Sequence, residues 1–170
     1  MKATATGSGS VRATSPDRPG RIRGGKPAVP AGRIVDQCIR GAGDGPGLSA
    51  AKLIPSLKAG LPVHELDALR CGLDLPMERL APMLGISRAT LHRRKAAGRL
   101  DAAESDRVVR FARLLGRAAA VMESLEAGRA WLTCAQVGLG GEIPLAYAET
   151  EVGAREVEDL LGRIEHGVYS

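Results

Sequence analysis

From Ser49 onward, apolar side chains return every three or four residues, the period of helices that each bury one face. Ser49 to Lys58 places Leu53, Ile54 and Leu57 on one side, although Pro55 interrupts the run, and Gly60 ends it. Pro62 stands at the first turn of a second helix, where a missing N–H is harmless, and Leu66, Leu69 and Leu73 line its face up to a stop near Gly72. Met77 to Lys95 then reads as two short helices crossing through a tight turn. Leu80 and Leu84 lie four apart on the inner face of the first, and Ala81 is small enough to admit the second. Gly85 supplies the left-handed turn, Ser87 the N-cap of the next helix, and Ile86 and Leu91 fill the angle between them. Pro82 predicts a kink or a late start for the first helix of this pair. Gly98 ends the second, so that residues 47–99 form a unit of four short helices.

Asp101 and Glu104 have the spacing of a capping box that opens a long connector helix. Along it Val108, Ala112, Leu115, Ala119, Met122 and Leu125 make an apolar stripe, while Arg107, Arg110, Arg113 and Arg117 fall mostly on other faces. The stripe suits a core or a dimer seam, and the arginines suit phosphate contact or plain solvation. A short helix from Glu126 to Leu132 carries Trp131, expected in the core; a loop from Cys134 to Pro144 follows, punctuated by Gly138, Gly140 and Gly141. Gly153 and Ala154 lead into a last helix whose face is Val157, Leu160, Leu161 and Ile164, and which Gly167 ends before Val168, Tyr169 and Ser170 protrude. Residues 1–46, rich in Gly, Pro, Ala, Ser, Thr and Arg, read as a disordered basic tail, suited to nonspecific DNA affinity or to a passive role.

Composition narrows the class. With one Phe, one Trp and two Tyr in 170 residues, the core must be built from Leu, Val, Ile, Ala and Met, which favours an all-α fold over a sheet. No apolar run approaches the roughly 20 residues of a membrane span, and no apolar signal core opens the chain, so a cytoplasmic protein without membrane contact is expected. Cys38, Cys71 and Cys134 are scattered without C-x-x-C spacing and read as reduced thiols. His64, His92 and His166 have neither ligand spacing nor a nucleophile nearby, so neither a metal, a cofactor nor a catalytic group is expected. The net charge of +5 conceals a polarity: residues 88–117 hold nine basic against three acidic side chains, and residues 118–170 three basic against nine acidic. One end suits phosphate, and the other suits a protein partner.

The basic end coincides with the second helix of the crossing pair. Arg88, Ala89, His92, Arg93 and Ala96 share its outer face, as on a helix that enters the major groove of DNA. The expected DNA contacts are Ser87, Arg88, Thr90, His92 and Arg93, with Arg94 and Lys95 acting less specifically through phosphate. Arg94 also stands where an apolar residue usually seals such a pair. A single short helix reads few base pairs, so a homodimer on an operator with inverted half-sites is expected, with the Val108–Leu125 stripe or the last helix as seam.

Five stretches together resemble one family: Arg88 to Arg94, Leu100 to Arg107 (L-x-x-x-E-S-D-R), Trp131-Leu132, Leu139 to Leu145 (L-G-G-x-x-P-L), and Thr150 to Val168. The chain is similar over residues 49–170 to the Xre/MbcA/ParS antitoxins. That resemblance implies an Xre-like helix-turn-helix domain followed, over residues 100–170, by the connector and a small helical toxin-binding domain. It implies a RES-domain toxin that consumes NAD as partner, neutralised by covering its NAD site, and repression of the protein's own operon. Leu139, Gly140, Gly141, Pro144, Glu165, His166, Gly167, Val168 and Tyr169 are then the expected toxin contacts, with Tyr169 as a plug able to fill an apolar pocket and bond at its rim. Where the family usually has Pro-Asn after W-L-T, this chain has Cys134-Ala135-Gln136, and Ala146 lies near the place of a usual Asp, which implies a toxin-facing loop of its own shape. The other reading is a helix-turn-helix transcriptional regulator without a toxin partner.

Overall fold

Asp101 opens the helix on which the others are laid. Its Oδ1 accepts the Glu104 N–H at 2.7 Å while Glu104 Oε2 accepts the Asp101 N–H at 2.9 Å, so two orphan donors are satisfied reciprocally. In this computed structural model, which describes residues 34–41 and 49–168, that helix runs Ala102–Val121. It is sixth in the order α1 Ile34–Arg40, α2 Ala50–Ala59, α3 Val63–Leu73, α4 Met77–Met83, α5 Arg88–Ala97, α6 Ala102–Val121, α7 Leu125–Thr133, α8 Pro144–Tyr147 and α9 Glu151–Glu165, with a 3₁₀ turn at Val137–Leu139. Among the described residues the fold is all-α, and the only extended pairing is an isolated bridge between Pro62 and Arg99.

Helices α1, α2, α3, α7 and α9 all pack on α6, which accordingly buries Val108, Val109, Phe111, Ala112, Leu114, Leu115 and Ala118. A helix apolar on so many sides has to be central. Val108, Ala112 and Leu115, weighed as a dimer seam, are fully buried within the chain itself. The stripe does not continue to Leu125 on the same helix: α6 stops at Val121, Glu123 takes a left-handed conformation, and Ser124 accepts the Ala127 N–H to start α7. α7 lies so close to α6 that a Cβ on Gly128 would stand 2.6 Å from the Ala119 nitrogen. Trp131 is partly buried against the core, as expected of it.

Several boundaries follow local chemistry that periodicity does not display. The expected disorder of residues 1–46 fails at Ile34–Arg40, which is helical and buries Val35 and Cys38; residues 1–33 and 42–48 lie outside the described set. What holds α1 is Glu65, a buried carboxylate whose two oxygens accept the Ile34 and Val35 N–H groups at 3.0 Å each. An anion at a helix N-terminus satisfies both the orphan donors and the dipole. Burial raises the pKa of the Cys38 thiol, Arg113 opposing and Glu65 adding to the effect. Ile54, expected inward on α2, is 49% exposed, whereas Leu53 is buried. α3 runs past Gly72 to Leu73 and ends on Asp74 in the left-handed region, and Arg129 reaches from α7 to donate to the carbonyls of Gly72 and Cys71. Pro82 neither delays nor shortens the start of α4, which begins at Met77; it stands in the last turn, one residue before the helix ends.

The α6–α7 contact predicts opposite outcomes for two glycines. Gly128→Ala is expected to destabilise the fold by about 1–3 kcal/mol through overpacking against α6. Gly162→Ala in α9, where a Cβ meets nothing within 4 Å, is expected to stabilise it by up to about 1 kcal/mol from helix propensity. Thermal melts followed by circular dichroism separate the two, and a shift of the same sign in both would contradict the packing described.

Candidate functional site

The turn between α4 and α5 is built by three donors that find the last carbonyls of α4. Gly85, at φ 66°, donates to Pro82 O at 2.8 Å and Ile86 donates to Ala81 O at 2.9 Å, the paired bonds of a Schellman ending, with Ile86 and Ala81 both buried behind it. The third donor comes from the long helix: Arg107 Nη1 donates to Leu84 O at 2.9 Å. Arg107, weighed as a phosphate contact or a solvated side chain, is a brace for this turn.

Ser87 then caps α5, accepting the Thr90 N–H at 3.1 Å and lying 3.0 Å from the Thr90 hydroxyl. The far end of α5 is held as firmly. Gly98 turns at φ 73° and accepts the Val63 N–H at 3.1 Å, Arg99 donates to Gly60 O at 2.7 Å, and Leu100 donates to Leu61 O at 2.8 Å. Gly60 allows this approach, since a Cβ there would stand 2.1 Å from Leu100 O. Ser105, buried in α6, accepts the Leu61 N–H at 2.8 Å and closes the joint.

Between these anchors α5 buries no residue. Arg88, Ala89, His92, Arg93, Lys95 and Ala96 are exposed, and only Thr90, Leu91 and Arg94 are half-buried. The expected outer face is thus the solvent face. Arg94 departs from it: its Nε donates to Glu104 Oε2 at 2.7 Å and its Nη2 to Asp101 Oδ2 at 2.6 Å. The bond to Glu104 raises the guanidinium pKa further still. Arg94, standing where an apolar residue usually seals such a pair, therefore fastens α5 to the start of α6, and its guanidinium points there rather than to a phosphate.

A second surface lies at the other end of α6. Gln136 Nε2 donates to Trp131 O at 3.0 Å and to Cys134 O at 3.1 Å, so this side chain ties off the end of α7. Gly140 and Gly141 turn at φ 69° and 88° with open space beside them, as a contact surface requires. Leu139 and Pro144, expected beside them as contacts, are buried instead: Leu139 is 7% exposed, and Pro144 opens α8. The outward residue of the turn is Val137, 96% exposed, which alternation with Leu139 does not reveal because both are equally apolar in sequence.

α9 starts on Thr150, which accepts the Gly153 N–H at 3.0 Å, and ends as α4 does: Gly167 donates to Ile164 O at 3.1 Å and Val168 to Arg163 O at 2.9 Å. Glu165 is exposed and paired with Arg117 of α6, while His166, Gly167 and Val168 are exposed; Tyr169 lies outside the described residues. Arg110 is likewise tied to Asp106 and Glu151. Among the described residues no group of three or more His, Cys, Asp or Glu is placed to hold a metal ion, and no helix is long and apolar enough to cross a membrane.

Comparison with known proteins divides the chain at the same helix. A family model described as the antitoxin Xre-like helix-turn-helix domain matches residues 52–113, and one described as the antitoxin Xre/MbcA/ParS C-terminal toxin-binding domain matches residues 117–167. A protein named Antitoxin Xre from Yersinia enterocolitica is 37% identical over 130 residues, which cover 73% of this chain and 87% of that relative. Another of that name, from Photorhabdus laumondii, is 32% identical over 127 residues, 74% of this chain and 86% of its own.

The geometry of α5 assigns distinct outcomes to its neighbouring cationic residues. Arg93→Ala is expected to weaken duplex DNA binding by about 1–3 kcal/mol with folding unchanged, and Lys95→Ala to reduce the salt slope of binding by about one. Arg94→Ala leaves the buried Glu104 without its cation and is expected first to lower the melting temperature. Gel shifts at fixed salt beside thermal melts distinguish them; if Arg88→Ala and Arg93→Ala together leave DNA affinity untouched, α5 is not the reading helix.

Proposed function

The chain belongs to the Xre/MbcA/ParS antitoxin family, a family of toxin-neutralising regulators rather than enzymes, and from that premise we propose that it neutralises a RES-domain, NAD-consuming toxin and represses its own operon by binding the operator. The observation that carries this reading is the arrangement along α6. A solvent-facing basic helix is clamped near its N-terminal end, and an acidic, glycine-turned surface with an exposed chain end is packed near its C-terminal end. The first opposes phosphate with cations, and the second repels it, so the two ends take different partners.

In this reading Arg88, His92 and Arg93 meet base edges, while Lys95 meets phosphate. Ser87 and Thr90 position the helix start, being already bonded to one another. On the other side Gly140, Gly141, His166, Gly167, Val168 and Tyr169 face the toxin and cover its NAD site. Glu165 orients this end through its ion pair with Arg117. A homodimer on inverted half-sites is retained, because one ten-residue helix reads too few base pairs alone. Val108, Ala112 and Leu115 are buried within the chain, so of the two seams first considered the last helix remains, through its outer face, where Val152 is 73% exposed.

Two outcomes are expected. Light scattering of the free protein at micromolar concentration gives a dimer, and a strict monomer that still binds a palindrome tightly would refute the pairing. Ending the chain at Glu165 removes His166 to Ser170 and three backbone hydrogen bonds at the end of α9, but leaves α5 and its clamps intact. Co-expressed with a RES-domain protein encoded beside its gene, the shortened chain is expected to lose rescue of growth and of cellular NAD while keeping its operator gel shift. Full rescue would discard the chain end as an inhibitory element, and a full-length chain that rescues nothing would favour a regulator without a toxin partner.

A further inference from the structure

Val137 combines two properties that rarely coexist. It is an aliphatic side chain 96% exposed to water, and it stands on a loop with little freedom to move. Gln136 N–H donates to Glu142 O at 3.0 Å and Gly141 N–H donates back to Gln136 O at 3.0 Å, closing the loop at its base; Leu139 N–H and Gly140 N–H bond within it at 3.0 Å each. Leu139 is sunk in the core, and Gly138 lies so close to α9 that a Cβ would stand 2.7 Å from Leu160 Cδ1. With the loop anchored inward at these two positions, its backbone directs the Val137 side chain outward.

We propose that Val137 is the apolar knob by which this chain docks on its toxin, entering an apolar socket rimmed by cationic groups; this rests on the toxin-neutralising reading above. A β-branched side chain on a backbone already held in place loses little freedom on docking, which suits such a residue to be an anchor. The occupant follows from position and charge. Val137 lies inside residues 117–167, the part matched by the toxin-binding domain. Exposed Glu142 closes the same loop, and residues 118–170 hold nine acidic against three basic side chains. An acidic surface folded onto its own copy by a two-fold axis would oppose like charges, and it would repel nucleic acid, whereas a cationic rim on a different protein complements it.

The test titrates the full-length chain calorimetrically into an inactivated RES-domain protein encoded beside its gene, with thermal melts and sedimentation of each variant alone. Val137→Asp is expected to weaken binding roughly 30-fold or more, the scale of an interface hot spot, with the melting temperature unchanged. Val137→Ala, which adds no charge, is expected to weaken it about five-fold, and Val137→Ile to bind as the wild type does. If Val137→Asp and Val137→Ala both bind as tightly as the wild type, the knob assignment is wrong while the toxin reading stands. A wild-type chain that does not bind the toxin removes that reading and this inference with it. Dissociation of a free wild-type dimer by Val137→Asp would overturn the proposal in favour of a second copy of the chain.

Discussion

One carboxylate fixes the exposed helix α5 to the central helix α6. Glu104 is 4% exposed, and the same Oε2 accepts from the Asp101 backbone, closing the cap of α6, and from Arg94, fastening the last turn of α5. A buried carboxylate is tolerable only when its oxygens are satisfied, and here the two donors belong to different helices. The start of the central helix and the attitude of the exposed one are thereby a single condition. Removing Arg94 leaves a carboxylate without its cation in the interior, which is far costlier than losing a surface ion pair.

The same economy of means recurs at the other junctions. In a chain with four aromatic residues, Leu and Ala supply most of the buried volume but have little directional preference. Direction comes from polar side chains directed at unpaired backbone groups: Glu65 at the start of α1, Arg107 at the turn after α4, Arg129 at the end of α3, Ser105 at the α2–α3 joint and Gln136 at the end of α7. Each meets a donor or acceptor that a helix end leaves open. Four of these five partnerships span at least 23 residues of sequence, so the hydrophobic contacts bring the helices together and the polar ones set where they stop.

That division explains what could be read in the sequence. The helices from α2 to α7 and α9 are written in apolar spacing and in Gly85, Ser87, Gly98, Asp101 and Gly167, all local features. The outer face of α5 was legible for the same reason, since a helix with one inward residue, Leu91, has little choice of orientation. Long-range bonds were not legible. Residues 34–40 carry too short an apolar run to announce a helix, and become one because Glu65, some thirty positions later, accepts their N–H groups. Arg94 and Arg107 look like DNA contacts in a basic stretch until their acceptors are known. Leu139 and Val137 are equivalent by residue type, and only the loop closure between Gln136 and Glu142 decides which one faces water.

The family models meet inside α6, between residues 113 and 117, where there is no linker but uninterrupted helix. A rigid shaft of this kind acts as a keyed axle for the evolution of the protein. Exchange of the partner-binding half between relatives must keep count: one residue gained or lost in this interval would turn everything beyond it by about 100° and move it about 1.5 Å along the axis, pulling Glu151 out of line with Arg110. Differences in partner choice are therefore to be sought in loops such as 134–143 rather than in the helix that joins the two halves.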